Sequence, residues 1–428
     1  MADNDLTSKR LLILGANTET VRLIRSAQNM GVEVGVTDYN PSAPAKRFAD
    51  VAFDVDGFDI EGLVRLVREE KFDGVMVGVA DPLIDPYRRV CEQLELPCYA
   101  TERQCEVLTN KLVFNSYCRE FGIQPIPSYD ISPAVEPAEL EDVIFPLLVK
   151  PVDANSGKGM SVCGNEQELR AAIENAIAFS RSDRYLVQRY MQCDDLLMYF
   201  TFQDGKAWIS ALGDRFTYRG QLDAAPVCVG ATYPSRHSEL FNSTMLENFQ
   251  RMFAGLEMGN GVLLISGFVD GENIFVYDPG FRLQGEAPDF HLKSVNGFDQ
   301  CEMLVRFALT GSMGPVDLDT QNDPDFNGKR AATIWLLLGS GTIDRLEGLD
   351  RVRELPEVYE VSQRLFAGDT VTGEMVGTEA QVLARIYLAC DSDADRRRSL
   401  DRIAEMVSVF DREGGSMLLD GNRFLKPV

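Results

Sequence analysis

An α/β domain followed by α+β structure is the fold class that the sequence predicts, on three observations. Strand and helix signals alternate over residues 9–100. Asp-Gly pairs lie between apolar runs at 204–205 and 270–271, and a polar, turn-rich stretch at 315–330 sets off a tail. Alternating strands and helices build a parallel sheet covered on both faces. Asp-Gly between apolar runs marks an antiparallel hairpin.

The elements follow in order. Residues 11–14 (Leu-Leu-Ile-Leu) read as a buried strand ending at Gly15, and Val21, Leu23, Ile24 and Ala27 repeat as a helix closed by Gly31. Residues 32–36 are a second strand that ends near Asp38. A helix at 61–70 carries Leu63, Leu66 and Val67; residues 75–77 are a third strand and 87–94 a further helix. Residues 105–121 read as one amphipathic helix carrying Lys111 and stopped by Gly122, and Pro125, Pro127, Pro133 and Pro137 then mark a linker. The hairpins pair 196–202 with 207–212 and 262–269 with 274–278. The tail has a strand at 332–338, a charged helix near 393–411 and a turn at Gly414-Gly415. Arg396, Arg397 and Arg398 read as a solvated helix face.

Bulk properties bound the function. The chain has 428 residues, 45% of them hydrophobic, enough for two or three packed domains. Its net charge of −24 argues against general nucleic-acid binding and against an anionic membrane surface, while leaving room for a compact basic patch around one nucleotide. There is no apolar run of membrane-spanning length, and Met1 to Arg10 is polar rather than a signal peptide. Nine scattered cysteines without a CxxC pair suggest reduced thiols in a cytoplasmic protein, and two distant histidines, His237 and His291, argue against a histidine metal site.

Five segments carry chemistry. Gly15-Ala16-Asn17-Thr18 is a strand-to-helix turn with Asp38 where a dinucleotide fold keeps its ribose acid, but the GxGxxG spacing is absent and a plain tight turn is the stronger reading. Lys150 ends an apolar strand, which suits a fixed ammonium for a nucleotide phosphate, or an ordinary snorkelling lysine. Ser156, Gly157, Lys158, Gly159 and Met160 form a Gly-rich hairpin loop able to converge backbone N–H groups on phosphate oxygens, and a bare mobile hairpin is the alternative. Gln188, Arg189, Tyr190 and Met191 end a strand that could offer polar groups to an adenine edge, with Asp194 or Asp195 near a ribose. Asp278 and Arg282 flank a turn: the carboxylate is a hard ligand for Mg²⁺, and the guanidinium could clamp a transferring phosphoryl group.

In this order the segments resemble the ATP-grasp superfamily, over roughly residues 9–315. The resemblance implies an N-terminal parallel βαβ (pre-ATP-grasp) domain at 1–105, and an ATP-grasp domain of two subdomains at 106–315, with the lid at about 135–190. A small α+β region follows at 316–428. It implies ATP and Mg²⁺ as ligands. Lys111 and Lys150 match the lysines near the phosphates, 156–160 the lid loop with Lys158 among its catalytic cations, 188–191 the adenine hinge and Asp195 the ribose acid. Asp278 and Arg282 match the ends of a Glu-x-Asn-x-Arg run whose Asn position is Gly280 here, and no Glu stands near Ser266. Arg215 is a further candidate for the phosphates or the acid.

The activity so implied is ligation: a carboxylate activated as an acyl phosphate for attack by an amine, both small molecules. A nucleotide-binding protein without ligase activity, and a nicotinamide-dependent oxidoreductase on residues 9–100, are the alternatives. The tail has two roles open to it, covering the active site or building a homodimer interface.

Overall fold

The computed structural model describes residues 6–152, 159–180, 182–218 and 227–419. Its first layer is the predicted parallel sheet. Strand β1 (Arg10–Leu14) leads through helix α1 (Val21–Asn29) to β2 (Glu33–Thr37), β3 (Val51–Phe53), helix α2 (Ile60–Glu70), β4 (Gly74–Val77) and helix α3 (Ile84–Leu94). The sheet order is β3-β2-β1-β4, all parallel, so the connection reverses direction between β1 and β4. Strand β3 has three residues and went unread in the sequence, because so short a run carries no periodicity.

The single helix expected at 105–121 is two: α4 (Glu102–Thr109) and α5 (Lys111–Glu120). Asn110 sits between them in an extended conformation, and its side chain accepts hydrogen bonds from the N–H groups of Leu112 and Val113. An N-cap of this kind starts a new helix, and it makes Lys111 the first residue of α5.

After β5 (Gln124–Pro125) comes a small four-stranded sheet, in the order β6-β9-β7-β8, of β6 (Ser128–Tyr129), β7 (Leu147–Pro151), β8 (Ser161–Cys163) and β9 (Tyr185–Arg189), backed by helix α6 (Glu166–Phe179). It has its own core, including Leu147, Val149, Leu169, Ile173 and Val187, separate from the main one.

The rest hangs on a nine-stranded sheet. Strands β10 (Asp194–Gln203) and β11 (Lys206–Tyr218) form the first predicted hairpin, with Asp204 and Gly205 both at positive φ. Next come β12 (Val227–Tyr233), helices α7 (Ser238–Thr244) and α8 (Leu246–Gly255), then the second predicted hairpin, β13 (Gly261–Asp270) and β14 (Asn273–Gly280). Short helix α9 (Asp289–His291), a π-turn at 292–296, α10 (Gln300–Thr310) and α11 (Leu318–Gln321) precede β15 (Arg330–Leu337). Then come β16 (Gly341–Thr342), β17 (Arg345–Glu347), α12 (Leu349–Arg353), β18 (Val358–Gln363), β19 (Thr370–Val371), β20 (Val382–Cys390), α13 (Asp393–Met406) and β21 (Ser408–Phe410).

The sheet order is β18-β20-β15-β12-β11-β10-β13-β14-β5. Strands from beyond residue 316 therefore extend the sheet that holds both hairpins, and the boundary expected at 315 does not interrupt it. The nine cysteines are all free, and among the described residues no helix is long and apolar enough to cross a membrane.

Candidate functional site

Three expected residues meet from three elements. Lys150 is next to last in β7 of the small sheet, Lys111 opens α5, and Asp278 lies near the end of β14 in the large sheet. Lys111 Nζ is 3.1 Å from Asp278 Oδ1, with both side chains about half exposed. Burial pushes the Lys150 ammonium down to about 8; the like charge of Lys111 adds to this and Asp278 partly offsets it. Asp278 serves two cations, so the cluster is short of negative charge.

The hinge 189–193 crosses from the small sheet to the large one. Gln188 is buried, and its Oε1 has no hydrogen-bond partner among the described residues. A buried acceptor left unpaired is costly and fits an amino-group donor such as the adenine N6. The backbone N–H groups of Arg189 and Tyr190 donate to Pro127 and Pro146 (2.9 Å each), and the Arg189 side chain pairs with Asp270 at 3.0 Å. Met191 packs with Ile126 and Phe275.

Other expected residues go elsewhere. Asp195 does not stand free for a ribose: it accepts two hydrogen bonds from Arg215 (2.9 and 2.7 Å), which also donates to the Tyr277 hydroxyl. Burial raises the Asp195 carboxyl above the usual carboxylate range, against the pull of Arg215. Arg215, a candidate for the phosphates or the acid, makes this pair and lies 3.9 Å from Glu286. The neighbouring Asp194 is held by Arg236 (2.5 Å) and His237 (2.8 Å). Arg282 turns to the N-terminal domain and pairs with Asp81 at 2.5 Å. Asp38 accepts from the N–H groups of Ala16 (3.0 Å) and Asn40 (2.9 Å), which ties its carboxylate to the turn after β1.

Ser156, Gly157 and Lys158 lie outside the described residues. Gly159 and Met160 lead into β8, and a Cβ on Gly159 would lie 2.6 Å from Phe179 Cβ, so this close approach requires glycine. At Gly280, where the resemblance implies Asn, a Cβ would lie 3.1 Å from Gln284 Oε1 and 3.4 Å from Asp81 Oδ1: other side chains fill that space. Ser266 faces Asp278 across the ladder, and among the described residues no group of three or more His, Cys, Asp or Glu is placed to hold a metal.

The sequence reading missed a second charged cluster. Glu19, before α1, lies 2.7 Å from Arg385 of β20, 3.4 Å from Arg364 just after β18, and 3.6 Å from Arg22. Arg385 also donates to Gly285 O and stacks 3.8 Å over Trp335. A cavity of about 340 Å³ beside it is lined by Glu19, Arg22, Asp289 and Tyr387 among others, and not by Lys111, Lys150 or Asp278.

A small α+β unit carrying Lys150, joined by a hinge to a large sheet that carries Asp278 with Lys111 on the helix packed beside it, is the ATP-grasp arrangement, and the chain has the ATP-grasp fold. Residues 130–215 match the family described as D-ala D-ala ligase C-terminus. Over 274 residues the chain is 26% identical to a formate-dependent phosphoribosylglycinamide formyltransferase of Rhodococcus jostii, a match spanning 62% of this chain and 67% of that one. It spans about half the length of further relatives of that name.

Among solved structures, the phosphoribosylglycinamide synthetase of Anaerococcus prevotii superposes with a TM-score of 0.74 at 14% identity, covering 94% of this chain and 100% of that one. The L-amino acid ligase of Bacillus licheniformis gives 0.74 at 17% identity, covering 95% and 99%. The biotin carboxylase domain of Hydrogenobacter thermophilus 2-oxoglutarate carboxylase, in complex with MgADP, ADP and bicarbonate, gives 0.71 at 16%, covering 96% and 91%. At such identities the structural likeness is one of fold.

Proposed function

We propose that the protein is an ATP-dependent ligase that joins a small carboxylic acid to an amine. The observation that carries this reading is the convergence of Lys111, Lys150 and Asp278 where the small sheet meets the large one. The two ammonium groups offer charge to phosphate oxygens, Gln188 offers its unpaired Oε1 to an adenine amino group, and Asp278 is the carboxylate through which Mg²⁺ would be held together with those phosphates. Magnesium there supplies neutralisation of phosphate charge.

In the reaction, a carboxylate oxygen of the acid attacks the γ-phosphorus and the bond to the bridging oxygen of ADP breaks. The amine nitrogen then attacks the acyl carbon, phosphate leaves, and the nitrogen gives up a proton. Closure of the small sheet over the cleft would keep water from the acyl phosphate. The names of the matched relatives suggest formate as acid and phosphoribosylglycinamide as amine; the amino acid ligase among the structural neighbours suggests amino acids instead.

Two measurements test the reading. Calorimetric titration with a non-hydrolysable ATP analogue is expected to strengthen with Mg²⁺, and Asp278→Asn is expected to remove most of that gain; binding indifferent to Mg²⁺ in the unaltered protein would point to nucleotide binding without ligation. The same titration is expected to be pH-dependent. In the free protein Lys150 loses its proton as pH rises through about 8, whereas bound phosphate favours the charged form. Binding should therefore take up protons near that pH and weaken above it. A heat that is the same in buffers of different ionisation enthalpy would count against Lys150 as the phosphate contact.

A further inference from the structure

Cys91 and Cys98 stand in side-chain contact away from the residues of the nucleotide site. Cys91 is buried near the end of α3. Glu95, in the left-handed region at φ 54°, ends that helix, and the Leu96 N–H donates back to the Cys91 carbonyl at 3.0 Å. This is the return bond of a Schellman-type cap, and it folds the chain so that Cys98, partly exposed, reaches the turn that carries Cys91. The Cys91 thiol hydrogen-bonds to the Cys98 sulfur, and both thiols are free.

The surroundings of Cys98 set it apart from the other cysteines. The Tyr87 hydroxyl bonds to its sulfur while accepting the Tyr99 N–H at 3.2 Å, and the Arg88 guanidinium lies close by. The hydrogen bond from Cys91 holds the Cys98 thiol below its ordinary value against burial, with help from the Tyr87 hydroxyl and the Arg88 charge. Every other cysteine is pushed up, Cys118 and Cys228 by burial to about 12. A partly exposed thiol that favours its thiolate, with a second thiol in contact, is the arrangement of redox-active cysteines. The same loop reaches toward the nucleotide site. The Tyr99 ring lies 5.0 Å from that of Phe281, its hydroxyl donates to the Phe281 carbonyl at 3.3 Å, and Phe281 stands between Asp278 and Arg282 in the chain.

We propose that Cys91 and Cys98 form a site of reversible oxidation by peroxide, and that the resulting disulfide weakens Mg²⁺-nucleotide binding through Tyr99. The Cys98 thiolate attacks a peroxide oxygen, the O–O bond breaks and water leaves, giving a sulfenic acid. The Cys91 sulfur then attacks the Cys98 sulfur, the S–O bond breaks, and the departing hydroxide takes the Cys91 proton as a second water. The two sulfurs together lose two electrons and the peroxide gains them; a dithiol reverses the change. Bonded sulfurs stand about 2.05 Å apart, closer than any hydrogen bond between them. The bond therefore draws Cys98 off the Tyr87 hydroxyl and shifts Tyr99, the next residue, against Phe281. The redox step stands by itself, whereas its effect on nucleotide rests on the ligase reading.

The test treats the full chain with hydrogen peroxide, alkylates the remaining free thiols and maps the peptides by mass spectrometry without reduction. A peptide pair joined at Cys91 and Cys98 is expected, and dithiothreitol should restore both thiols. Cys98→Ser should block the reaction, while Cys91→Ser should stop it at a sulfenic acid on Cys98 that dimedone traps. The oxidised protein is then expected to bind the non-hydrolysable ATP analogue with Mg²⁺ about fivefold or more weakly, the lower end of coupling between sites, and oxidant should leave that affinity unchanged in Cys98→Ser. Three results overturn the redox step: no bond between Cys91 and Cys98, a sulfenic acid on Cys98 that persists with Cys91 present, or oxidation that dithiothreitol does not reverse. A disulfide that forms without weakening the analogue overturns the coupling through Tyr99. Failure of the analogue to bind the reduced protein would sink the ligase reading instead, and the peptide map would still decide the redox step.

Discussion

Replacing Lys150 with alanine is expected to weaken binding of a non-hydrolysable ATP analogue by roughly 10- to 150-fold, the ~1.5–3 kcal/mol of a hydrogen bond to a charged group. The same substitution should leave the thermal midpoint unchanged or raise it. Lys150 is a partly buried ammonium pushed down to about 8 whose nearest anion, Asp278, already pairs with Lys111, and an under-compensated buried charge costs stability rather than adding it. The two readouts together separate a binding lysine from a structural one. Unchanged affinity with a lowered midpoint would remove Lys150 from the site.

The second large effect is on the fold. Arg215→Met is expected to cost about 3–5 kcal/mol, because it strands the buried Asp195 carboxylate. Asp195 takes two hydrogen bonds from Arg215 and a longer one from Tyr277, at 3.4 Å. Adding Asp195→Asn should recover most of the loss by removing the stranded charge. Urea unfolding of the single and double variants measures this. A single variant that loses less than ~1 kcal/mol would show that the pair is solvated like an ordinary surface bridge.

Much of the frame was legible because it rests on local signals. The apolar run of β1 with Gly15, and the Asp-Gly turns of both hairpins, specify their own elements without reference to distant chain. Lys150 and Asp278 were legible for a related reason: each ends an apolar strand, where a charged residue stands out. The break at Asn110 was missed because the apolar pattern continues across it and only the cap conformation reveals it.

The Glu19 cluster was missed because its partners are 366 positions apart, and one sequence holds no record of which distant charges meet. One trace was present: Arg385 interrupts the otherwise apolar strand Val382–Cys390, and a charge inside a buried strand needs a partner. The partners that Asp195, Arg215 and Arg282 take in the structure were not legible for the same reason. Motif position fixes where such a side chain starts, whereas the partners on neighbouring elements decide where it ends.

The order in which the large sheet is assembled bears on how the protein is made. Strand β12 ends at Tyr233, but its outer neighbour β15 begins only at Arg330, and β20 runs to Cys390. A ribosome adding about 5–20 residues per second leaves that edge without its partner for roughly 5–20 s. Throughout this interval β12 presents bare N–H and C=O groups of the kind that recruit other nascent chains. The last quarter of the polypeptide thus acts late in synthesis as a cover for an adhesive edge, and ribosomes stalled before codon 330 should release chains that clump or engage chaperones.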